Sequence, residues 1–131
     1  MGTVALLDTN IFIYLSKGGL DTGVLNQLKK VTTSSFNLSV ISKIELLGYA
    51  FPTAYEKNTI EAFVKTATVF ALTDDIVDKT IEPRIAHKIK LPDAIIAATA
   101  LVYNLTLISR NDKDFGDISG LKYFNPFDNF E

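Results

Sequence analysis

The sequence of 131 residues contains no cysteine, no tryptophan and a single histidine, His87. The absence of cysteine excludes disulfides, thiolate metal sites and thiol nucleophiles. His87 has no obvious acidic partner in the sequence, so we expect it on a helix surface rather than as a catalytic base. No run of about 18 apolar residues occurs, and the N-terminus lacks a basic signal segment. We therefore expect a cytoplasmic protein that does not associate with membranes.

The chain also has little net charge, which is −2 at pH 7. A surface that binds nucleic acid nonspecifically is usually basic, so any such contact would need a local basic patch or a bound metal ion. Apolar residues make up 47% of the chain, enough for a substantial core. The length fits one domain, residues 1–131.

Short apolar runs alternate with segments of helical periodicity. The runs predict strands, which are 3–7, 36–40, 68–72, 106–109 and 122–124. Capping residues and apolar spacing predict helices between them, of which Ser42, Thr53 and Thr73 each open one. Strands that alternate with helices favour a mainly parallel sheet covered on both faces, which is a three-layer α/β/α architecture.

Acidic residues stand where predicted strands end or helices begin, at Asp8, Glu45, Asp93 and the pair Asp112 and Asp114. Such positions can converge in one crevice of an α/β fold. Converging carboxylates repel one another, and a hard divalent cation relieves that repulsion. The pattern therefore indicates a magnesium-type site that handles phosphates.

Each acid also has a purely structural interpretation. Asp8 could cap the first helix, unless Thr9 does so. The spacing Ser42-x-x-Glu45 matches a capping box, which alone favours a structural role for Glu45. Asp93 follows Pro92 at a helix start but has apolar neighbours, and burying it without a partner would be costly, which favours a functional role.

The segment Asn111 to Asp114 follows a predicted strand, where clusters of Asn and Asp are common turn chemistry. Which of Asn111, Asp112 and Asp114 faces the crevice stays open.

Five segments, taken in order, resemble the motifs of PIN-domain proteins, especially the VapC toxins of bacterial toxin–antitoxin pairs. They are Leu6 to Ile11, Ser39 to Leu46, Leu91 to Ala100, Leu107 to Phe115, and Phe124 to Phe127. The resemblance implies a PIN fold and a metal-dependent endoribonuclease that uses Mg²⁺ or Mn²⁺.

In this resemblance Asp8, Glu45 and Asp93 correspond to the acidic site and hold the metal. The fourth position departs from the pattern, because many relatives carry an acid where this chain has Asn111. Asp112 or Asp114 would then complete the site.

The resemblance also implies RNA as substrate, a small antitoxin protein as partner, and a homodimer. Thr9 or Asn10 would position a water or a substrate phosphate. The substrate contacts that we expect beside the acidic motifs are Lys43, Arg110, Asn111 and Lys113. The sequence leaves two alternatives open: a PIN-fold binding domain with a weakened site, and another Mg²⁺-dependent phosphohydrolase.

Overall fold

The computed structural model describes residues 4–31 and 36–127 of the chain. The strands there are β1 (Ala5–Leu7), β2 (Asn37–Ser39), β3 (Thr68–Phe70), β4 (Thr106–Ile108) and β5 (Lys122–Phe124). The helices there are α1 (Thr9–Lys17), α2 (Thr22–Val31), α3 (Val40–Leu47), α4 (Ala54–Thr66), α5 (Asp74–His87), α6 (Leu91–Tyr103) and α7 (Asp112–Phe115). The predicted alternation of strands and helices is confirmed, although the first predicted strand begins at residue 3, outside the described residues. No helix in the described ranges is long and apolar enough to cross a membrane.

Every strand pair is parallel. β4 pairs with β1 on one edge and with β5 on the other, and β2 pairs with β3. Successive carbonyls of a strand point to opposite edges. The Val4 carbonyl accepts from the amide of Thr106 in β4, so the Ala5 carbonyl faces away from β4. There the side-chain amide of Asn37 donates to it at 2.9 Å, which joins β2 to β1. The backbone ladders thus form two sheets, β1-β4-β5 and β2-β3, and the Asn37 contact sets them edge to edge in the spatial order β3-β2-β1-β4-β5.

The sheet is covered on both faces because strand side chains alternate between them. Leu7 and its partner Ile108 belong to a core with α1, α2 and α4. Leu6 and its partner Leu107 belong to a second core, built mainly on α6. Helix α5 packs outside α6. These layers confirm the predicted α/β/α architecture. The chain leaves β1 toward β2, and β4 lies on the opposite side of β1. The crevice at the carboxyl ends of β1 and β4 is thus the point where the strand order reverses, which is where open parallel sheets bind ligands.

Two of the helix starts are as predicted from the capping residues. Thr53 accepts a hydrogen bond from the Glu56 amide at the start of α4, and Thr73 accepts one from the Ile76 amide at the start of α5. Gly18 ends α1 with a φ of 72°, which glycine adopts without steric cost.

The predicted start of the third helix was wrong. Helix α3 begins at Val40, and its cap is Ser39, whose hydroxyl accepts from the Ile41 amide at 3.1 Å. Ser42 therefore lies inside the first turn, where it is fully buried. The capping box that Ser42 and Glu45 would have formed is absent, so that structural interpretation of Glu45 is removed. The helix α7 was also not predicted, because the segment reads as turn chemistry.

Candidate functional site

Asp8 lies at the crevice, directly after β1 and at the cap position of α1. Its carboxylate accepts from the Thr9 amide at 2.8 Å through Oδ1, and from the Ser109 hydroxyl at 2.8 Å through Oδ2. Asp8 is only 4% exposed. Burial raises its pKa, as do the nearby carboxylates Glu45 and Asp114, while the two hydrogen bonds lower it. Asp8 therefore caps α1 and also faces the crevice, so it has both of the roles that the sequence left open.

Thr9 connects α1 to α3 by its hydroxyl. The Thr9 Oγ1 lies 2.6 Å from Glu45 Oε1 and 2.9 Å from the buried Ser42 Oγ. A hydroxyl has one proton and a carboxylate has none to give, so Thr9 donates to Glu45 and accepts from Ser42. This chain of contacts fixes the Glu45 carboxylate, which would otherwise be free on an exposed helix face.

Asp93 enters the crevice from the first turn of α6, behind Pro92. Its side chain is partly buried, whereas the seven residues that follow it in the helix are all buried. Burial first, and then the carboxylates of Asp8, Asp114 and Glu45, raise the pKa of Asp93 to about 6. The Lys90 ammonium lowers this pKa, but by less than any of those carboxylates raises it.

The two aspartates in the segment after β4, Asp112 and Asp114, have different hydrogen-bond partners. Asn111 caps α7 by accepting from the Asp114 amide at 3.3 Å, and its Nδ2 donates to Asp114 Oδ2 at 2.9 Å. Asp114 therefore joins the acids that raise the pKa of Asp8 and of Asp93. Asp112 instead accepts from the Tyr123 hydroxyl and from Asn125 Nδ2. The structure thus brings Asp114 into the group and holds Asp112 by contacts on the β5 side.

The carboxylates of Glu45 and Asp114 raise the pKa of both Asp8 and Asp93, and the carboxylate of Asp8 also raises that of Asp93. Repulsion of the buried Asp8 and the partly buried Asp93 by neighbouring carboxylates indicates an environment suited to a cation. No three acidic or histidine side chains of residues 4–31 and 36–127 approach closely enough to ligate one ion directly. Hard oxygen donors at this looser spacing suit Mg²⁺ or Mn²⁺ held partly through water, because Mg²⁺ usually keeps several of its waters.

An open cleft of about 270 Å³ adjoins these acids. It is lined by Asp8, Asn10, Tyr14, Arg110 and Asn111. Of the predicted substrate contacts, Asn10, Arg110 and Asn111 therefore lie together beside Asp8. Lys43 lies instead in a separate groove with Leu47 and Glu61, and Lys113 is exposed on α7.

Arg110 is held by aromatic rings rather than by acids. Its guanidinium carbon lies 4.2 Å from the centroid of the Phe127 ring and 5.7 Å from that of Tyr14. The two rings contact each other edge to face, with centroids 5.4 Å apart. Within the described ranges no acidic side chain forms an ion pair with Arg110. The Arg110 guanidinium at the rim of the acidic pocket is therefore available to bind an anionic group.

Two residues at the site were missed in the sequence. Ser109 binds Asp8 and also accepts from the Asn111 amide at 2.9 Å. Its position directly after β4 was a usable signal, because β4 ends beside β1 when the two strands are parallel. Ser42 has the sequence spacing of a helix cap, and only the packing of α1 against α3 shows its contact with Thr9.

Comparisons with known proteins agree with this geometry. The family model described as PIN domain matches residues 5–121. The chain belongs to the PIN-domain family. The resemblance to VapC-type proteins is also confirmed by solved structures. A chain of a toxin–antitoxin complex from Klebsiella pneumoniae is 35% identical, with a TM-score of 0.76, and the match covers 93% of this chain and 97% of that one.

Two further solved structures share the fold. A chain of VapBC-1 from nontypeable Haemophilus influenzae is 25% identical, with a TM-score of 0.77 and coverage of 95% of this chain and 99% of that one. A chain of VapBC2 from Rickettsia felis is 22% identical, with a TM-score of 0.78 and coverage of 94% of this chain and 98% of that one. No curated protein matches the chain significantly. Membership of the PIN family supports the nuclease class, whereas metal dependence and a preference for RNA stay predictions.

Proposed function

We propose that this chain is the toxin of a VapBC-type toxin–antitoxin pair and hydrolyses RNA phosphodiester bonds with Mg²⁺ or Mn²⁺. The observation that carries the proposal is the group of carboxylates at the switch point of the sheet. Asp8, Glu45, Asp93 and Asp114 come from separate elements, and the carboxylates of Glu45 and Asp114 oppose the ionisation of both Asp8 and Asp93. A folded protein tolerates such repulsion most readily where a cation binds.

Asp8 and Asp93 would hold the ion, directly or through waters, with Glu45 beside them. When bound, such an ion activates a water and stabilises the charge that develops on a phosphate during hydrolysis. The chain's own contribution is positioning. Thr9 fixes the carboxylate of Glu45, which is placed to orient a water or take up a proton. Asn111 fixes Asp114 in the same manner.

The uncharged Asn111 therefore does not indicate a decayed site. Its amide orients an acid three residues later, and that acid interacts with both Asp8 and Asp93. The alternative of a weakened, purely binding domain thus loses the sequence feature that suggested it.

Arg110 is the substrate contact that the geometry favours. It lines the cleft beside Asp8, and stacking on Phe127 and Tyr14 presets the orientation of its guanidinium. We propose that it binds a phosphate next to the one that is cleaved, since a guanidinium fork suits phosphate oxygens. Single-stranded RNA is the preferred substrate class, because its backbone and bases can be splayed into an open cleft.

The partners follow from the neighbours in structure, which are toxin–antitoxin complexes. We propose that a small antitoxin protein covers the acidic cleft, and that the chain acts as a homodimer in the cytoplasm.

The test is cleavage of a single-stranded RNA by the purified protein with Mg²⁺ or Mn²⁺. We expect cleavage that EDTA abolishes and that falls at least about a hundredfold in Asp8→Asn and in Asp93→Asn. Asp117→Asn is the matched control, because Asp117 is exposed in the turn after α7. Cleavage that persists in both site variants would refute the assignment. Release of phosphate from a monoester with no RNA cleavage would instead favour the phosphohydrolase alternative.

A further inference from the structure

The Asn-Pro-Phe segment that follows β5 places an aromatic ring on Arg110. Asn125 is only 7% exposed, and its Oδ1 accepts from the Phe127 amide at 2.9 Å. Such a contact forms a local turn, and Pro126 between the two residues stiffens it because the proline ring fixes φ. The position of the Phe127 ring therefore follows from the orientation of the Asn125 side chain.

Asp112 sets the orientation of Asn125. The Asn125 Nδ2 donates to Asp112 Oδ1 at 3.1 Å, and the same oxygen accepts from the Tyr123 hydroxyl. A carboxamide is planar, so a hydrogen bond on its nitrogen also fixes the direction of its oxygen. Asp112 begins α7, whereas Asn125 directly follows β5. One carboxylate oxygen thus ties the start of α7 to the segment that carries Phe127.

This chain of contacts ends at the cation of the cleft. The guanidinium carbon of Arg110 lies 4.2 Å from the centroid of the Phe127 ring. Arg110 is otherwise exposed, and a free arginine side chain loses conformational entropy when it binds a ligand. Stacking on a ring that is already in place removes part of that cost before the substrate binds. A group that holds the ring therefore strengthens phosphate binding without contacting the phosphate.

We infer that Asp112 is a positioning residue for substrate binding, and that it acts on Arg110 through Asn125 and Phe127. Its role requires a hydrogen-bond acceptor, whereas a metal ligand or a general base in the acidic group would require the negative charge. The effect on RNA binding rests on the proposed function. The placement of Arg110 does not, because it depends only on contacts within the chain.

Two variants of Asp112 separate the need for an acceptor from the need for a charge. The oxygen of an asparagine amide can accept from both donors, so Asp112→Asn keeps the contacts and loses the charge. Asp112→Ala loses both. Asn125→Ala breaks the same chain of contacts at its next member, and Phe127→Leu removes the ring. Asp117→Ala is the matched control, because Asp117 is exposed in the turn after α7.

The NMR signals of arginine report the placement directly, because the chain contains only Arg84 and Arg110. In protein labelled with ¹⁵N-arginine, the ring current of Phe127 should shift the Nε proton of Arg110 upfield of its position in Phe127→Leu. Arg84 of α5 is the internal reference. We expect the upfield shift to persist in Asp112→Asn and to be largely lost in Asp112→Ala.

The variant Asn125→Ala should lose the upfield shift as Asp112→Ala does, and Asp117→Ala should keep it. Thermal melts should show that the variants stay folded. An Arg110 signal that both Asp112→Ala and Asn125→Ala leave in place would overturn the inference. So would a signal that Asp112→Asn displaces as far as Asp112→Ala does, since the charge would then matter and not the acceptor.

Cleavage of a single-stranded RNA oligonucleotide with Mg²⁺ gives the functional measure. Asp112→Ala should raise KM about three- to tenfold with little change in kcat, which is the effect of one lost hydrogen bond. Asp112→Asn should stay within about twofold of wild type. In an Arg110→Ala background, Asp112→Ala should raise KM no further, because two residues that act through one contact are not additive.

Additive effects of Asp112→Ala and Arg110→Ala on KM would overturn the inference, as would a large fall of kcat in Asp112→Asn. A wild-type protein that cleaves no RNA would refute the proposed function and the effect on KM. The arginine signals would still decide whether Asp112 places Arg110.

Discussion

Asp93→Asn should make the metal-free protein more stable at neutral pH while removing its activity. The pKa of Asp93 is raised from 3.8 to about 6, chiefly by burial and then by the other carboxylates. That difference corresponds to about 3 kcal/mol at roughly 1.36 kcal/mol per pH unit. The side chain is partly exposed, so solvent screening reduces the value to about 1.5 kcal/mol.

An acid in the first turn of α6 also gains about 0.5 kcal/mol from the helix dipole, which the amide gives up. The net gain that we expect is about 1 kcal/mol, or about 4 °C in Tm for a domain of this size. A substitution that stabilises the fold and removes the activity is the usual mark of a residue retained for function.

The gain should depend on pH in a defined direction. The folded pKa of Asp93 lies above the unfolded value, so the folded state takes up the extra proton as the pH falls through about 6. Wild-type stability is therefore penalised above pH 6 and relieved toward pH 4. Asp93→Asn should exceed wild type at about pH 7 and match it near pH 4.

The assay is thermal or urea unfolding in EDTA at both pH values, with Asp117→Asn as the exposed control. An Asp93→Asn variant that is less stable than wild type at neutral pH would refute the reasoning. So would a gain of equal size at both pH values.

Three further substitutions test the arrangement around the acids. Ser109→Ala removes a hydrogen bond to the buried Asp8 carboxylate and should lower the free energy of unfolding by about 1–3 kcal/mol, as measured by urea denaturation. Thr9→Val removes the donor that fixes Glu45 and should lower kcat about tenfold with a small change in KM. A change in KM as large as the change in kcat would contradict a positioning role. Arg110→Lys keeps the charge but loses the stacked fork, so KM for an RNA oligonucleotide should rise about tenfold while kcat changes little; an unchanged KM would exclude the proposed phosphate contact.

Much of the fold was predictable because local signals agree with the tertiary structure. Thr53 and Thr73 cap the helices that follow them, as their side chains alone suggested. Asp8 was predictable as well, because an acid between an apolar run and a helix must lie at the carboxyl end of β1. In a parallel sheet that end faces the crevice.

Ser39 and Ser42 show that local sequence signals do not always predict the cap of a helix. Both are good caps, and only Ser42 has an acid three residues later. The pairing of β2 with β3 extends the strand to Ser39, so that residue becomes the cap. Ser42 is then buried against Thr9, which lies 33 residues earlier in the chain. A contact between residues so far apart in the sequence cannot be predicted from the spacing of neighbouring residues.

The sequence of the segment after β4 leaves its site residue open for the same reason. Asp112 and Asp114 are equivalent by sequence, but Tyr123 and Asn125 bind the former and Asn111 orients the latter. The stacking of Arg110 likewise depends on rings from two distant segments of the chain, and no motif records that combination.

Calorimetric titration of the metal-free protein with Mn²⁺ asks whether carboxylates from separate elements share one divalent ion. We expect saturable binding that weakens at least about tenfold in Asp8→Asn and in Asp93→Asn but not in Asp117→Asn. Undiminished binding of Mn²⁺ by both site variants, or no binding by the wild type, would contradict it.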